Sequence, residues 1–376
     1  MGSYFGGRSE VRIRREMRQV ILCDFLSMYP TDCTLMNLWR FVIADDLTWR
    51  DSTDETRRLL EAINLSALRS KPSWQNLATL VRVKAAGEVF PVRASYNIEA
   101  QTTIGANHLT SKKPLWFTLA DCIAAKLLTG KSPEVLEAIT FEPRAPQEGL
   151  CQIDIAGNAD YHIEPYENDF FKRLIELRRA TQVRRAGATG AELDALDTEQ
   201  NALKIAANSV GYGIYIEVNV DSRTRKSKTT VHSSTSEPFS FETDKSEMPG
   251  SYFNPLLGTL ITGGARLMLA IAETLTIEKG LDWSFCDTDS MAIAKPDDMS
   301  ANGFSERVGE IVDWFAALNP YEFGGSILKI EDVNLALDKG GGLSRCFVWP
   351  SHRSAIHCST WRRTAVLSCA KCRLMD

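Results

Sequence analysis

The sequence lacks the marks of an exported or membrane-spanning protein. No basic and apolar leader follows Met1, and no charge-free apolar run is long enough to cross a bilayer. The nine cysteines do not suggest a disulfide framework either, because most of them are scattered singly, as is typical of free thiols in a reducing compartment. We therefore expect a cytoplasmic protein that makes no membrane contact.

The sequence also lacks an overall positive charge. Its net charge is −5, which does not favour nucleic-acid binding by the chain as a whole. Two segments are nevertheless basic: 8–18 has five arginines and two glutamates, and 169–185 has six basic and two acidic residues. Such segments can bind phosphate groups locally, although a solvated helix face is the commoner explanation of one basic run taken alone.

Hydrophobic periodicity predicts a mixture of helices and strands in the first half of the chain. Residues 18–25 are expected to form a short buried strand that ends at Asp24 and is followed by a Tyr-Pro turn. Further helical patterns lie at 56–68, 117–128 and 133–139, and a strand pattern lies at 151–156.

The second half of the chain shows longer patterns. Two amphipathic helical patterns, 168–185 and 191–210, predict an antiparallel helical hairpin. Residues 213–245 alternate as strands do. Residues 255–279 predict a long helix, in which the Gly-Gly pair at 263–264 permits close packing.

Three aspartates lie where predicted strands end. Asp24 ends the first strand, and Asp287 and Asp289 lie in the turn of a β-hairpin predicted from 283–285 and 290–294. Alternate residues of an extended turn point the same way, so both turn carboxylates are expected to face Asp24. Such a cluster is costly unless cations neutralise it, and Mg²⁺ prefers oxygen ligands of this kind. Capping of a surface turn is the simpler explanation of either motif alone.

Four segments together resemble the sequence motifs of the family B DNA polymerases. In chain order they are YFGGR (4–8), DFLSMYPT (24–31), LKIAANSVGYG (203–213) and FCDTDS (285–290). The family patterns are Y-x-G-G/A-R, D-x-x-S-L-Y-P-S, K-x-x-x-N-S-x-Y-G and Y-G-D-T-D-S, and we name the last three segments motifs A, B and C. The resemblance implies template-directed DNA synthesis from dNTPs on a DNA primer-template, with two Mg²⁺ ions, or Mn²⁺ in their place.

The resemblance also implies a role for each matching residue. The catalytic residues and metal ligands would be Asp24, Asp287 and Asp289, with the Phe25 carbonyl completing one metal site. The residues that would bind the incoming nucleotide are Phe25, Ser27, Met28, Tyr29, Lys204, Asn208 and Tyr212. Those that would contact DNA are Tyr4, Gly6, Gly7 and Arg8. Tyr29 would lie beneath the sugar and exclude a 2′-hydroxyl group, unless it is an ordinary core tyrosine.

Arg178 is assigned to the nucleotide site on a different ground. It continues the apolar stripe of Phe171, Leu174 and Ile175, where a free surface arginine is not expected. Its side chain therefore either contacts a phosphate group or packs its aliphatic stem on the neighbouring helix.

The sequence departs from the family patterns at several points. Motif B has one additional residue, which places Tyr212 at i+4 from Asn208, a rotation of about 100° on a helix. Only three residues precede YFGGR, so we expect no exonuclease domain in this chain. Neither Lys329 nor Lys339 has the tyrosine two residues later that marks the family's primer-binding K-x-Y segment.

Residues 344–376 differ in composition from the rest of the chain. They hold four of the nine cysteines and no acidic residue before Asp376. A C-A-K-C sequence at 369–372 is weak support for a zinc site. We expect the segment to be unstructured or foreign to the fold, as a truncated or frameshifted gene would produce.

These observations predict an α/β (α+β) fold, a polymerase palm with an antiparallel sheet that carries a helical hairpin as fingers. The competing function is a catalytically inactive, truncated remnant that only binds DNA or a partner, since the K-x-Y segment and thumb are not recognisable. The predicted divisions are 1–39 (palm with motif A), 40–160 (connecting region), 161–213 (fingers with motif B), 214–343 (palm with motif C) and 344–376 (tail).

Overall fold

The computed structural model describes residues 3–94, 103–157, 161–232 and 237–334. Its central element is a five-stranded antiparallel sheet in the order β1-β13-β14-β2-β15. This order brings both ends of the chain's described part into one sheet. The five strands are β1 (Ser9–Val11), β2 (Val20–Phe25), β13 (Asp282–Asp287), β14 (Ser290–Ala294) and β15 (Leu328–Asn334).

The inner strands of this sheet are covered on both faces. All five residues of β14 are buried, and in β2 every residue except Asp24 is buried. The continuous apolar sequence of β2 follows from this position, since a strand buried on both faces needs no polar alternation. The predicted strand at 18–25 and the predicted hairpin around motif C are confirmed.

The chain leaves β2 through a shorter turn than expected. The turn consists of Leu26 and Ser27, and helix α1 (Met28–Leu35) begins directly after it. The expected Tyr-Pro turn is therefore wrong. Pro30 lies in the first helical turn. The N–H groups of this turn have no carbonyl acceptor within the helix, so proline loses no helical hydrogen bond there.

Helix α8 (Pro255–Glu278) forms the centre of the core. Asn254 caps its first turn by accepting a hydrogen bond from the Leu257 amide at 3.2 Å. The Gly-Gly pair does permit close packing: a Cβ on Gly263 would lie 2.5 Å from Thr118 Oγ1, and one on Gly264 would lie 3.0 Å from Met36 Sδ.

Helix α8 is long and apolar enough to cross a membrane, although it contains charged residues and so is not the charge-free run considered above. By length and composition it could do so, yet 89% of its apolar window is buried inside the fold. Within the described residues it is the one such helix, and its burial is that of a core helix.

A second sheet lies in the region between motifs A and B. It has four antiparallel strands in the order β3-β8-β4-β7, and a separate hairpin of β5 and β6 contacts α5 and β1. The strands are β3 (Leu47–Asp51), β4 (Thr79–Lys84), β5 (Ala86–Ala94), β6 (Thr103–Thr110), β7 (Leu115–Thr118) and β8 (Glu134–Pro143). The helices of this region are α2 (Trp39–Val42), α3 (Thr53–Ala62), α4 (Leu65–Leu68) and α5 (Leu119–Thr129).

Three sequence predictions in this region need correction. The helix expected at 133–139 is wrong, because 134–139 belong to strand β8. This strand pairs with β4 on one side and with β3 on the other, nearer its end. The helix expected at 56–68 is two helices, α3 and α4. The strand expected at 151–156 shrinks to β9 (Ile153–Asp154), which pairs with β10 (His162–Ile163). The apolar pattern of a short segment can fit both a helix and a strand, and pairing with other strands then determines which one forms.

The predicted helical hairpin is confirmed. Helix α6 (Phe170–Gly187) and helix α7 (Ala191–Gly211) pack against each other through a turn that contains Gly190 with φ 61°. Asp169 caps α6 by accepting a hydrogen bond from the Lys172 amide at 3.1 Å.

The strand pattern after motif B is confirmed as a long two-stranded ribbon. Strands β11 (Val218–Val231) and β12 (Phe239–Pro249) pair antiparallel, with a register shift between Ser222 and Ser227. The last helix described, α9 (Ala301–Trp314), packs on α8 and β15.

The α/β class with an antiparallel central sheet and a helical hairpin is therefore confirmed. The divisions at 39, 160 and 213 remain predictions, because one hydrophobic core runs from Phe5 to Leu328 and includes side chains from most of them. The predictions for 344–376 lie outside the described residues.

Candidate catalytic site

Asp24 and the acidic turn of motif C meet at one end of the central sheet. Asp24 is the register partner of Ser290 across β2 and β14. The backbone closes this end further, since the Phe25 N–H donates to the Asp289 carbonyl at 2.8 Å. The antiparallel pairing of two buried strands thus places Asp289 beside the end of β2.

The motif C turn has a strained and well-supported backbone. Thr288 has φ 63°, a conformation that non-glycine residues rarely adopt, and the Asp289 N–H donates to the Asp287 carbonyl at 2.7 Å. The Thr288 N–H donates to the carbonyl of Arg8 at 2.7 Å, so the segment containing YFGGR supports the turn. Strain that the surroundings hold in place is common at functional sites.

The carboxylates of Asp24 and Asp289 interact electrostatically. Burial, then Asp289 and Glu331, raise the pKa of Asp24 to about 7, while Lys204 and Lys329 act in the opposite direction. Two acidic side chains are therefore held together in a partly buried position. Asp287 lies at the end of β13, where its carboxylate accepts a hydrogen bond from Thr288 Oγ1 at 3.2 Å.

This arrangement supplies part of a metal-binding set. Among the residues that the structure describes, no group of three or more His, Cys, Asp or Glu side chains is spaced to hold a metal ion. Asp24 and Asp289 do bring two hard oxygen donors together, and their mutual repulsion is what a divalent cation relieves. These oxygen donors fit Mg²⁺, but the structure brings together two carboxylates where the sequence predicts three.

Two lysines lie near Asp24, and two arginines lie near one of these lysines. Lys329 on β15 is the register partner of Asp24, and its pKa is lowered by burial and then by Arg179 and Arg178. Lys204 is close enough to lower the pKa of Asp24. This concentration of positive charge beside an acidic pair suits a ligand with several phosphate groups.

The family's K-x-Y spacing does not identify Lys329, because no tyrosine follows it two residues later. The usable signal was its position in the alternating segment LKIEDVN, a strand pattern after motif C that places the lysine next to β2. A motif search tests spacing along the chain and not pairing between strands.

The turn of motif A is held from two sides. Ser27 has φ 43°, and its side-chain oxygen accepts a hydrogen bond from Arg178 Nη1 at 3.2 Å. Burial lowers the pKa of Arg178. Of the two alternatives for Arg178, the structure therefore shows a polar contact to the predicted nucleotide turn, and phosphate binding stays a prediction. Met28 is buried in the core and offers its backbone only.

Three tyrosines from three segments form one group. The rings of Tyr29 and Tyr212 stack with their centroids 4.9 Å apart, and the hydroxyl groups of Tyr212 and Tyr4 share a hydrogen bond. Gly7 completes the group, since a Cβ there would lie 2.9 Å from Tyr29 Oη and 2.9 Å from the Thr288 methyl group. YFGGR and motifs A, B and C thus meet at one place.

The additional residue of motif B does not have the expected consequence. Helix α7 ends at Gly211, and Tyr212 follows it with φ −160° and ψ −58°, which is not a helical conformation. The helical rotation of 100° therefore does not apply to Tyr212. Lys204 and Asn208 lie on α7 and are both exposed. Nucleotide contact by Asn208 stays a prediction.

The YFGGR segment is partly buried, and DNA contact by its residues stays a prediction. The guanidinium of Arg8 is buried, pairs with Glu10 and with Glu273 at 2.7 Å, and lies 5.1 Å from the Trp283 ring centroid. These partners neutralise the charge of Arg8 within the chain. Gly6 accepts a hydrogen bond on its carbonyl from Arg266 at 2.7 Å.

Comparisons with known proteins find similarity in structure only. No protein-family model matches the sequence, and no curated protein matches it. Among solved structures, phi29 DNA polymerase in an orthorhombic crystal form has a TM-score of 0.45 and 13% identity, and the match covers 89% of this chain and 47% of that one. The chain thus spans about half the length of the phi29 enzyme.

Two further structures have similar statistics. The ternary complex of phi29 DNA polymerase with primer-template DNA and incoming nucleotides has a TM-score of 0.41 at 13% identity, covering 89% of this chain and 47% of that one. The family B DNA polymerase of the archaeon Pyrobaculum calidifontis has a TM-score of 0.33 at 13% identity, covering 88% and 26%. Similarity at this level concerns the course of the chain and not its activity.

Proposed function

We propose that this chain is a template-directed DNA polymerase that adds deoxynucleotides to the 3′-hydroxyl group of a primer. The observation that carries the proposal is the meeting of Asp24 and Asp289 at one end of the central sheet, with Lys204 and Lys329 near Asp24. A carboxylate pair within a basic surround matches the needs of nucleotidyl transfer, in which charge must be neutralised on a triphosphate while an oxygen nucleophile is activated.

The reaction exchanges one phosphorus–oxygen bond for another. The primer 3′-oxygen forms a bond to the α-phosphorus of the dNTP, the bond from that phosphorus to the bridging oxygen breaks, pyrophosphate leaves, and the hydroxyl proton passes to solvent. No side-chain nucleophile is needed, so the protein contributes position and charge. Bound Mg²⁺ or Mn²⁺, held by Asp24, Asp289 and the Phe25 carbonyl with Asp287 beside them, would activate the hydroxyl group and neutralise the pyrophosphate.

The chain's own residues would orient the nucleotide. The amides of Ser27 and Met28 lie at the start of helix α1, where backbone N–H groups and the helix dipole favour phosphate. Lys204, Lys329 and Arg178 would neutralise the phosphate groups. Tyr29, whose ring stacks on Tyr212, would lie beneath the sugar of the bound nucleotide.

Primer extension by the purified chain tests the proposal. The assay uses a primer-template, four dNTPs and Mg²⁺, and compares the parent with Asp24→Asn and Asp289→Asn. Both variants should lose roughly a hundredfold or more of the extension rate, because each removes a charge at the reacting centre. Asp313→Asn serves as the matched control, since Asp313 is exposed on α9.

The outcomes separate the two candidate functions. Extension by the parent that both variants lose supports polymerase chemistry, and extension that both variants retain contradicts it. DNA binding without any extension by the parent would instead favour the inactive remnant. A cytoplasmic location, and contact with DNA and dNTPs but not with a membrane, are part of the same proposal.

A further inference from the structure

The segment 319–325, between α9 and β15, has a backbone conformation held by side-chain hydrogen bonds. None of the sequence motifs predicts it. The side chain of Asn319 holds it, since Nδ2 donates to the carbonyls of Phe323 at 2.8 Å and Gly325 at 2.9 Å. The Asn319 Oδ1 atom accepts a hydrogen bond from the Tyr321 N–H at 2.9 Å. These three bonds place the Tyr321 ring in one position relative to the segment.

The ring of Tyr321 is buried against the helical hairpin. It packs in a cluster with Leu174 and Ile175 of α6 and with Leu203 and Ala207 of α7. The neighbouring Glu322 N–H donates to Glu176 Oε1 of α6 at 3.0 Å. Segment 319–325 therefore docks on both helices of the hairpin.

The hydroxyl group of Tyr321 reaches motif A. It lies 2.7 Å from Thr31 Oγ1, and Thr31 Oγ1 lies 2.6 Å from the carbonyl oxygen of Leu26. A carbonyl oxygen only accepts, so the single hydroxyl proton of Thr31 goes to Leu26. Tyr321 must then donate to Thr31. The result is a directed hydrogen-bond chain from Tyr321 through Thr31 to Leu26.

This chain ends on the peptide group that carries the Ser27 amide. The Leu26 carbonyl and the Ser27 N–H belong to one planar trans peptide, so fixing the direction of the carbonyl fixes the direction of the N–H. Ser27 needs such support, because its φ of 43° is rarely adopted by a residue with a side chain.

We infer that Tyr321 is a positioning residue for nucleotide binding, which orients the Ser27 amide through Thr31 and links that orientation to the helical hairpin. The inference rests on the proposed function in one respect, the binding of a triphosphate by the Ser27 amide. The hydrogen-bond chain and its link to the hairpin stand on the geometry alone.

Tyr321→Phe is the variant that tests the inference, since it keeps the ring and removes the hydroxyl donor. In steady-state primer extension, KM for the dNTP should rise about fivefold, and kcat and the affinity for primer-template should stay within twofold. A contact made equally in the ground and transition states changes KM alone. Tyr252→Phe is the control, because Tyr252 is 68% exposed.

A double-mutant cycle with Thr31→Val tests the chain as a unit. Thr31→Val removes the middle group, so adding Tyr321→Phe to it should raise KM by less than a further 1.5-fold, where two independent effects would multiply. Multiplication of the two effects, or a fall in kcat with KM unchanged, would overturn the inference.

Amide hydrogen exchange without ligand separates this inference from the proposed function. The Thr31 N–H donates to the Ser27 carbonyl at 3.0 Å and the Leu26 N–H to the Ile327 carbonyl at 2.7 Å, so a peptide covering 26–31 reports on the turn. Its exchange should speed up at least threefold in Tyr321→Phe, with α9 unchanged. Should the parent show no extension at all, faster exchange would still support the positioning role and unchanged exchange would refute it.

Discussion

Gly211, the last residue of helix α7, lies directly against Pro30 of helix α1. A Cβ on Gly211 would be 2.9 Å from Pro30 Cδ, 3.0 Å from its Cγ and 3.3 Å from its backbone nitrogen. The Cys33 thiol also approaches the Gly211 carbonyl, at 3.8 Å. Motif B therefore meets motif A at a contact where a glycine is required for space, and the proline ring cannot rotate away.

Gly211→Ala should destabilise the protein by about 1–3 kcal/mol, because the new methyl group has to displace α7 from α1. Urea unfolding measures the change. Gly309→Ala in α9 is the control: nothing lies within 4 Å of a Cβ there, and an alanine inside a helix should add about 0.5–1 kcal/mol. Equal effects of the two substitutions would contradict the contact.

Arg266 is predicted to be the most costly single arginine to remove. Its guanidinium is buried, forms two hydrogen bonds to Asp121 at 2.8 and 2.9 Å, and donates to the carbonyls of Phe5 and Gly6. Arg266→Leu would leave Asp121 buried without its partner, so we expect a loss of about 3–5 kcal/mol in unfolding free energy.

Arg50→Leu is the matched control for Arg266. Arg50 also pairs with two carboxylates, Glu55 at 2.7 Å and Glu142 at 2.9 Å, but all three side chains are well exposed. Solvent screens such pairs, so the loss should stay below about 1 kcal/mol. If Arg266→Leu cost no more than Arg50→Leu, the buried pair would have no special role in stability.

Asp32 should make the stability of the protein depend on pH. Its carboxyl group is buried beneath Gly264, neither oxygen has a hydrogen-bond partner in the described part of the chain, and burial raises its pKa well above 3.8. The folded state thus holds a proton that the unfolded state releases. The contribution of Asp32 to the free energy of unfolding is therefore full below pH 3.8. It falls as the pH rises, by up to about 1.4 kcal/mol per pH unit.

Asp32→Asn removes this dependence, and Asp169→Asn provides the comparison. Burial raises the pKa of Asp169 to about 6, so its contribution is lost between pH 3.8 and 6 and changes little above that. Urea unfolding from pH 5 to 8 should therefore show the parent losing stability relative to Asp32→Asn above pH 6, but not relative to Asp169→Asn. Parallel curves for the parent and Asp32→Asn would refute this assignment.

The parts of the fold that sequence could predict are those with long or paired signals. The α8 helix, the α6–α7 hairpin and the motif C hairpin each have a pattern that only one structure satisfies. Residues 133–139 do not, since seven residues suit a helix as well as a strand, and pairing with β4 decides between them.

The same limit applies to the candidate site. Asp24 and Asp289 were expected to meet because one ends a predicted strand and the other lies in a hairpin turn where alternate residues point the same way. Tyr321 and Lys329 could not be found in this way, since their importance comes from contacts across the fold with Thr31 and Asp24 and not from spacing along the chain.

Lys329 yields the last prediction. It faces Asp24 across the β2–β15 pair, and partial burial together with Arg179 and Arg178 lowers its pKa, so several positive charges lie close together there despite their mutual repulsion. Such repulsion is relieved by an anionic ligand. Lys329→Met should therefore lower the primer-extension rate roughly ten- to a hundredfold, while Lys329→Arg should keep most of it.

Lys84→Met is the control for this substitution, because Lys84 is exposed on β4, in the second sheet. Folding should be little affected by Lys329→Met, since removal of one member of a repelling group relieves strain, and urea unfolding would show equal or higher stability. A variant that folds and extends primers at the parent's rate would exclude Lys329 from the site, and Lys204 would then be the main cation opposing Asp24.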